Sequence, residues 1–490
     1  MSPAVSTTGP EQVWDLVVVG GGTAGIVAAK TAAGLGATVL LVERDRTGGD
    51  CLWTGCVPSK TLLAAAHTAA AARRAPELGV DTGPVTVAFD RVMAQVRAAV
   101  AAIEPEDSPA AMRAAGVAVR HGSARFTGAR SLDVDGEPVS FVRAVLATGA
   151  RPAVPPVPGL ADAQPLTSDT VWDLDVLPAR LLVIGGGTIG CELGQALARL
   201  GSQVTIVEAA GRVLPAEEAE ASALVLDSLH RDGVEVLLGS PVHQVVAPTD
   251  GQAGRVRLED GRGARFDQVL VAVGRSPRTE DLGLASAGID VDDRGQVRVD
   301  AALRTTNPRV WAAGDLTGHP RFTHVAGVHG SLAAGNAVLG VRRHVGGAVP
   351  RVTFTDPEVA AVGVAPSAAA ANPRLRVVTV DHEHLDRAVT EGRTQGYLRL
   401  VLDSRRRLVG AVAVGPRAGE VLGEATLAVS RGLRTRQVAG VTHAYPTFCD
   451  ALWNAAVADV RESLQRPAVA ALTRALVRVR RHRLAGGGVQ

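Results

Sequence analysis

A glycine-rich turn that occurs twice, in the same surroundings each time, constrains this chain more than any other feature. Asp15 to Val19 form an apolar run that ends in Gly20-Gly21-Gly22-Thr23-Ala24-Gly25; an alanine-rich helical stretch then leads to a second apolar run ending at Glu43. Leu181 to Ile184 repeat the pattern into Gly185-Gly186-Gly187-Thr188-Ile189-Gly190, with Val204 to Val207 running into Glu208. Glu43 follows Gly20 by 23 residues, and Glu208 follows Gly185 by the same 23. A single G-x-G-x-x-G is a weak signal, and a glycine-rich turn by itself implies nothing more. Two copies between runs of strand length, each closed by an acid, predict two strand–turn–helix–strand units. In such a unit one glycine allows the turn, one lets backbone approach a pyrophosphate, and one lets the helix pack against the sheet. The helix N-terminus faces the phosphates and the acid meets a ribose hydroxyl. Two bound dinucleotides are expected, one on Gly20, Gly22, Gly25 and Glu43, the other on Gly185, Gly187, Gly190 and Glu208.

A chain of 490 residues exceeds one hydrophobic core and suggests roughly three domains. The net charge of +2 arises from nearly balanced acids and bases, which argues against nucleic acid or an anionic membrane as the main partner. The first dozen residues lack a basic start and an apolar core, and no apolar stretch has the length of a membrane span, so a cytoplasmic protein is expected. Pro152, Pro155, Pro156 and Pro158 with Gly159 mark a crossing between domains, and Pro350 opens a final segment. Alternating apolar runs at Leu398 to Leu402 and Leu408 to Val414 predict an antiparallel sheet there, hence an α+β domain. The alanine-rich stretch Ala64 to Arg74 reads as an ordinary helix.

Only four cysteines are present, Cys51, Cys56, Cys191 and Cys449, too few to staple a secreted scaffold of this length. The close pair lies in Gly48-Gly49-Asp50-Cys51-Leu52-Trp53-Thr54-Gly55-Cys56-Val57-Pro58-Ser59-Lys60. C-x-x-x-x-C alone is equally compatible with a structural bridge, half a metal site or a redox pair. Pro58 followed by a helix-forming run puts Cys56 near a helix N-terminus, where the dipole and Lys60 favour its thiolate.

This segment resembles the active-site motif of the pyridine nucleotide-disulfide oxidoreductases, the class of dihydrolipoamide dehydrogenase, glutathione reductase and mercuric reductase. The resemblance extends to about residue 460, through Ala147-Thr148-Gly149, Val273-Gly274-Arg275-Ser276-Pro277, Thr305-Thr306-Asn307-Pro308 and Trp311-Ala312-Ala313-Gly314-Asp315. It implies FAD on the first glycine turn, a nicotinamide nucleotide on the second, and a homodimer whose active site the partner subunit completes. Further cofactor contacts are implied at Gly49, Lys60, Gly122, Thr148, Gly149, Gly274, Asp315 and Thr323. Cys51 would attack the substrate, Cys56 would face the flavin, and Lys60 and Glu192 would form an ion pair beside it. Glu208 should repel a 2′-phosphate and favour NADH over NADPH, a preference that Arg212 softens. The fold class implied is α/β: two Rossmann-like dinucleotide-binding domains followed by an α+β dimerisation domain. Its expected partition is FAD binding over 1–150 and 286–349, NAD(P) binding over 151–285, an interface domain over 350–465 and a basic tail over 466–490.

The chain departs from the family near its end. A His-Pro-Thr segment and a later glutamate are replaced by His443-Ala444-Tyr445-Pro446-Thr447-Phe448-Cys449-Asp450. Tyr445 stands for the acid/base histidine and Asp450 for the glutamate, and a phenol with a pKa of about 10 is a poor base near neutrality. His443, two residues away, is either a substitute acid/base or a structural histidine. Mercuric reductases carry tyrosine near this place, which points to a metal ion such as Hg(II), although Gly486-Gly487-Gly488-Val489-Gln490 lacks a vicinal cysteine pair. Cys449 is either a third thiol at the site or a packing residue, and Cys191 reads as packing. Trp53 either shapes the substrate side of the pair or packs. Arg474, Arg478, Arg480, Arg481 and Arg483 with Leu472, Leu476 and Val479 form a basic amphipathic tail, either solvated or a contact for membrane or partner.

The expected activity passes electrons from nicotinamide through flavin to the Cys51–Cys56 disulfide and on to a disulfide, metal-ion or other acceptor. A quinone or oxygen reductase in which the cysteines only tune the flavin is one alternative. A redox sensor that turns over nothing is another.

Overall fold

The computed structural model describes residues 13–249 and 251–485. The described chain separates into two compact units. One runs to Leu214 and resumes from Leu229 to Gly346; the other comprises Pro215–Ser228 and the chain from Gly347 onward.

In the first unit the apolar run Val13–Val19 becomes a strand lying between Val39–Glu43 and Glu137–Leu146, parallel to both. Val117–His121 and Val310–Ala312 add further parallel strands, and Ser131–Val134 and Ala124–Gly128 continue the sheet antiparallel. Leu16, Val17 and Val18 are completely buried, as expected where both faces of a parallel sheet are covered, which is why the run carries no polar alternation. The chain leaves Val13–Val19 for a neighbour on one side while Glu137–Leu146 flanks the other. The carboxyl end of Val13–Val19 is thus a switch point, where open α/β sheets leave a crevice for ligands.

The alanine-rich segment forms the helix Thr23–Gly34, which packs against Thr323–Leu339. A Cβ at Gly330 would fall 2.2 Å from the Ala24 carbonyl oxygen, so small residues set how closely these helices approach. A second parallel sheet repeats the arrangement with Glu235–Leu238, Gln203–Glu208, Arg180–Ile184 and Gln268–Val271. Val242–Val246, Gly254–Leu258 and Gly263–Phe266 form a separate antiparallel sheet.

The second unit holds a five-stranded antiparallel sheet in the order Arg351–Thr353, Glu358–Gly363, Leu408–Gly415, Tyr397–Leu402, Arg376–Asp381. Helices Ala418–Arg431 and Asp450–Gln465 bury Val421, Leu422, Ala425, Leu452 and Ala455 against it. The two runs expected to pair do so, but Leu408–Gly415 is buried at every position except Val409, so its pattern reflects a central strand covered on both faces. Helix Pro467–Ala485 carries the basic tail, whose end at Gly486–Gln490 lies outside the described residues, as does the polar start. No helix among the described residues is long and apolar enough to cross a membrane.

The close approach at each turn is open to test. A Cβ at Gly25 would lie 1.8 Å from the Gly20 carbonyl oxygen, and one at Gly190 would lie 1.9 Å from that of Gly185. Gly25→Ala should lower stability by about 1–3 kcal/mol and reduce the dinucleotide retained on the first turn. Gly190→Ala should spare that dinucleotide and weaken binding at the second turn. Thermal unfolding and cofactor content of the purified variants distinguish the two, and equal loss in both would contradict separate sites.

Candidate active site

The two glycine turns share one geometry. Gly20 and Gly185 have φ of +103° and +111°, and a Cβ on either would strike the carbonyl oxygen of Ala147 or Ala272, at 2.5 and 2.6 Å. Glu43 accepts from the Gly21 amide at 2.5 Å and Glu208 from the Gly186 amide at 2.7 Å, so each acid is held against its own turn. The helices that follow are N-capped by Gly22 and Gly187 with no side chain filling the cap. A Cβ on Gly187 would meet nothing within 4 Å, and one on Gly22 only the Gly49 Cα at 3.7 Å. Open space at an uncapped helix N-terminus fits a pyrophosphate at both turns.

Other expected cofactor contacts gather around the first turn. Gly49 approaches so closely that its Cβ would sit 2.6 Å from the Gly22 Cα. The Gly122 amide donates to the Glu43 carbonyl at 2.9 Å, and the Thr148 hydroxyl donates to the Arg278 carbonyl at 2.7 Å. The crossover residues Gly149 and Gly274 flank the paired strands Ala150–Pro152 and Arg275–Pro277. Asp315 lies near Arg275 at 3.8 Å, and burial raises its carboxyl pKa.

The cysteine pair, present as two thiols, sits where a short helix, Gly49–Trp53, gives way to Cys56–Arg74. Cys56 is the first residue of the longer helix, and its sulfur lies 3.3 Å from the Thr323 hydroxyl. A hydrogen bond from Cys51 lowers the Cys56 pKa to about 6; desolvation opposes this, while Thr323 and Lys60 assist. The same hydrogen bond and burial push the Cys51 thiol far up. The pair is therefore electrically asymmetric: Cys56 carries the charge and Cys51 keeps the proton. One turn beyond Cys56, the Lys60 ammonium meets Glu192 at 2.8 Å, with the Glu192 side chain only 5% exposed.

Residues from several segments anchor the cysteine loop. Arg275 pairs with Asp50, lies 3.8 Å from both Asp169 and Asp315, and donates to the Ala150 carbonyl at 2.9 Å. The Trp172 indole donates to the Thr54 carbonyl at 2.9 Å, and Trp53 donates to the Thr47 carbonyl at 2.8 Å beneath the Arg46 guanidinium. Trp53 thus braces its own loop. Arg275 falls within a quoted motif, but no local pattern marks Asp169 or Trp172. Cys191 is fully buried, donates to the Gly186 carbonyl and is pushed up to about 12 by burial.

His443, Tyr445 and Asp450 lie in the second unit and line one cavity of about 630 Å³ with His384, Asp386 and Trp453. His443 Nε2 lies 3.0 Å from Glu424 and Nδ1 3.0 Å from the Val441 carbonyl. Both partners are acceptors, a setting that favours a proton on each ring nitrogen. Burial lowers its pKa, but these two hydrogen bonds outweigh it and the net shift is upward. Tyr445 is 72% exposed and donates to Asp386 at 2.5 Å, a bond that raises the phenol pKa. Asp450 accepts from the Thr447 amide at 2.9 Å at the start of its helix. Cys449 packs against the core of this unit, and burial raises its pKa.

Two titrations follow from this geometry. Alkylation of Cys56 in the reduced protein should have its midpoint near pH 6, and Lys60→Met, which removes the positive charge and leaves the opposing Glu192, should move it upward. An unmoved midpoint would remove Lys60 from the explanation. For His443 the folded pKa is raised, so its stabilisation is fully present below about pH 6.5 and is lost as pH rises through the folded value. Glu424→Gln should therefore destabilise most at low pH and progressively less above it; a loss independent of pH in denaturation midpoints would contradict the charged pair.

Comparison with known proteins agrees with this geometry. Residues 14–330 match the family described as pyridine nucleotide-disulphide oxidoreductase, and residues 349–456 match its dimerisation domain. A mercuric reductase of Streptomyces lividans is 36% identical over 451 residues, covering 90% of this chain and 94% of that protein. A dihydrolipoyl dehydrogenase of Thermus scotoductus is 36% identical over 483 residues, covering 94% of this chain and 100% of that protein. Among solved structures, LpdA of Mycobacterium tuberculosis superposes with a TM-score of 0.83 at 29% identity over 91% of this chain and 99% of its own. The HOCl-induced flavoprotein disulfide reductase RclA of Escherichia coli, as a Cu(II) complex, superposes at 0.81 and 27% identity over 91% of this chain and 99% of its own. The chain belongs to the pyridine nucleotide-disulfide oxidoreductase family and is an FAD-dependent, NAD(P)H-using enzyme of that class.

Proposed function

We propose that this enzyme passes two electrons from NADH, by way of FAD and the Cys51–Cys56 pair, to a soft metal ion or thiol-bound metal ion such as Hg(II). When bound, FAD takes hydride from the nicotinamide and supplies electrons to the disulfide. The chain's residues up to 150 and 286–349 would hold FAD, with Asp315 and Thr323 among its contacts. Residues 151–285 would hold the nicotinamide nucleotide. The 350–465 segment would pair two subunits so that Tyr445 and Asp450 complete the partner's site.

The observation that carries this reading is the set of hydrogen bonds that His443 and Tyr445 make in the C-terminal site. Reducing a small disulfide releases a thiolate that must be protonated, and the group that does so must regain a proton near neutral pH. His443 has both nitrogens committed to Val441 and Glu424, and Tyr445 is a phenol whose pKa Asp386 raises further. A soft divalent ion makes no such demand. Cys56, already a thiolate near neutrality, and Cys51, once deprotonated, displace the ion's ligands. The two electrons reach the ion as the Cys51–Cys56 disulfide re-forms, and the two displaced ligands leave, one of them carrying the Cys51 proton. The similarity to mercuric reductases supports the same acceptor class. Glu208, at the strand end beside the second turn, favours NADH because its carboxylate would face a 2′-phosphate of like charge.

The test is NADH oxidation with Hg(II), Cu(II), lipoamide, glutathione disulfide and a quinone as acceptors. Metal-dependent oxidation is expected in the wild type and should fall to background in Cys51→Ser. Tyr445→His should raise lipoamide turnover by about 10²-fold or more. Preferred turnover of lipoamide by the wild type would overturn the reading, and quinone activity that survives Cys51→Ser would put a quinone or oxygen reductase in its place.

A further inference from the structure

The helix Pro467–Ala485 lies beyond residues 349–456, which match the dimerisation domain, and no step of the proposed electron path uses it. Leu472, Leu476 and Val479 are 61%, 59% and 51% exposed, and the helical period places them in one stripe. Arg474, Arg478 and Arg481 fall on the opposite side together with Val477, and Arg480 on the flank, while the period brings Arg483 back in line with the stripe at its end. No acidic residue follows Glu462, whereas six arginines do; the chain's net +2 therefore leaves −4 for everything before them. Positive charge is concentrated on one exposed helix of an otherwise acidic chain.

Three occupants would each use part of this surface. Nucleic acid would answer the arginines but gives the leucine stripe nothing to bury against. A second copy of the helix would bury the stripe but bring two arginine-rich faces together. An anionic lipid surface uses both: the stripe enters the boundary between headgroups and acyl chains, and the long arginine side chains reach the phosphates. We propose that Pro467–Ala485 is a peripheral anchor that binds the enzyme to anionic phospholipid. The proposal is independent of which acceptor the redox pair serves.

Flotation of the FAD-loaded, full-length protein with vesicles tests it. Phosphatidylcholine vesicles containing phosphatidylglycerol should carry the protein, pure phosphatidylcholine vesicles should not, and added salt should release it. Removing three charges in Arg474→Gln/Arg478→Gln/Arg481→Gln should lower the partition coefficient roughly 100-fold, at about 5-fold for each arginine. Leu472→Ser/Leu476→Ser should also weaken flotation while flavin content and NADH oxidation stay at wild-type levels. Absence of flotation on the anionic vesicles overturns the proposal, as does flotation indifferent to the arginine changes. If the leucine variant floats like the wild type, the arginines serve any polyanion and the lipid assignment fails. If it floats unchanged but its dimer dissociates in sedimentation, the stripe belongs to a second copy.

Discussion

The ion pair between Lys60 and Glu192 is the interaction on which the site depends. Glu192 stands on the helix Thr188–Leu200 that opens at the second glycine turn, and its carboxylate is buried almost completely. The pair joins that helix to Cys56–Arg74, the helix that begins at Cys56. With the bond from Arg73 to the Arg199 carbonyl, it places the cysteine pair relative to the second glycine turn. The ion pair's positive end supports the Cys56 thiolate and its negative end opposes it, both less than the hydrogen bond from Cys51 that brings that thiol to about 6.

A second constraint is the asymmetry of the two thiols. A redox pair that works in both directions needs one sulfur to stay charged against the flavin and the other to remain free for exchange. The position of Cys56 at the first residue of its helix, beside Thr323, suits the first condition, and the hydrogen bond between the sulfurs leaves the proton on Cys51, to be given up when that sulfur reacts. Around them Arg275 among three carboxylates, with the indoles of Trp53 and Trp172, holds the loop that the thiols share. Such bracing suits a pair whose geometry must survive repeated opening and closing of a disulfide.

Those parts of the site that depend on local backbone rules were legible in the sequence. Gly20, Gly25, Gly185 and Gly190 are demanded by a turn and a close approach that any reader of residue types can foresee, and Glu43 and Glu208 follow at fixed spacing. Helix-terminal placement of Cys56 was legible from Pro58 and the run after it. What the sequence left open depends on residues distant along the chain. The two possible roles for His443 turn on Glu424, 19 residues earlier, and on the Val441 carbonyl, the partners of its two ring nitrogens, and no local pattern marks Glu424. Trp53 turned out to brace its own loop because the Thr47 carbonyl lies within reach of its indole. The Asp50–Arg275–Asp169 cluster joins three segments that no spacing connects. In the second unit, burial on both faces of Leu408–Gly415 erased the alternation that marks a half-exposed strand.

The central claim is that electrons reach the acceptor through the cysteine pair, with Cys56 as the charged member. An anaerobic titration of the FAD-loaded protein with NADH, followed by absorbance, tests it most directly. The account expects a long-wavelength thiolate-to-flavin charge-transfer band to reach its maximum at two electrons per subunit and to fade as pH falls below about 6. Bleaching of the flavin absorbance by the first two electrons, with no such band at any pH, would contradict it.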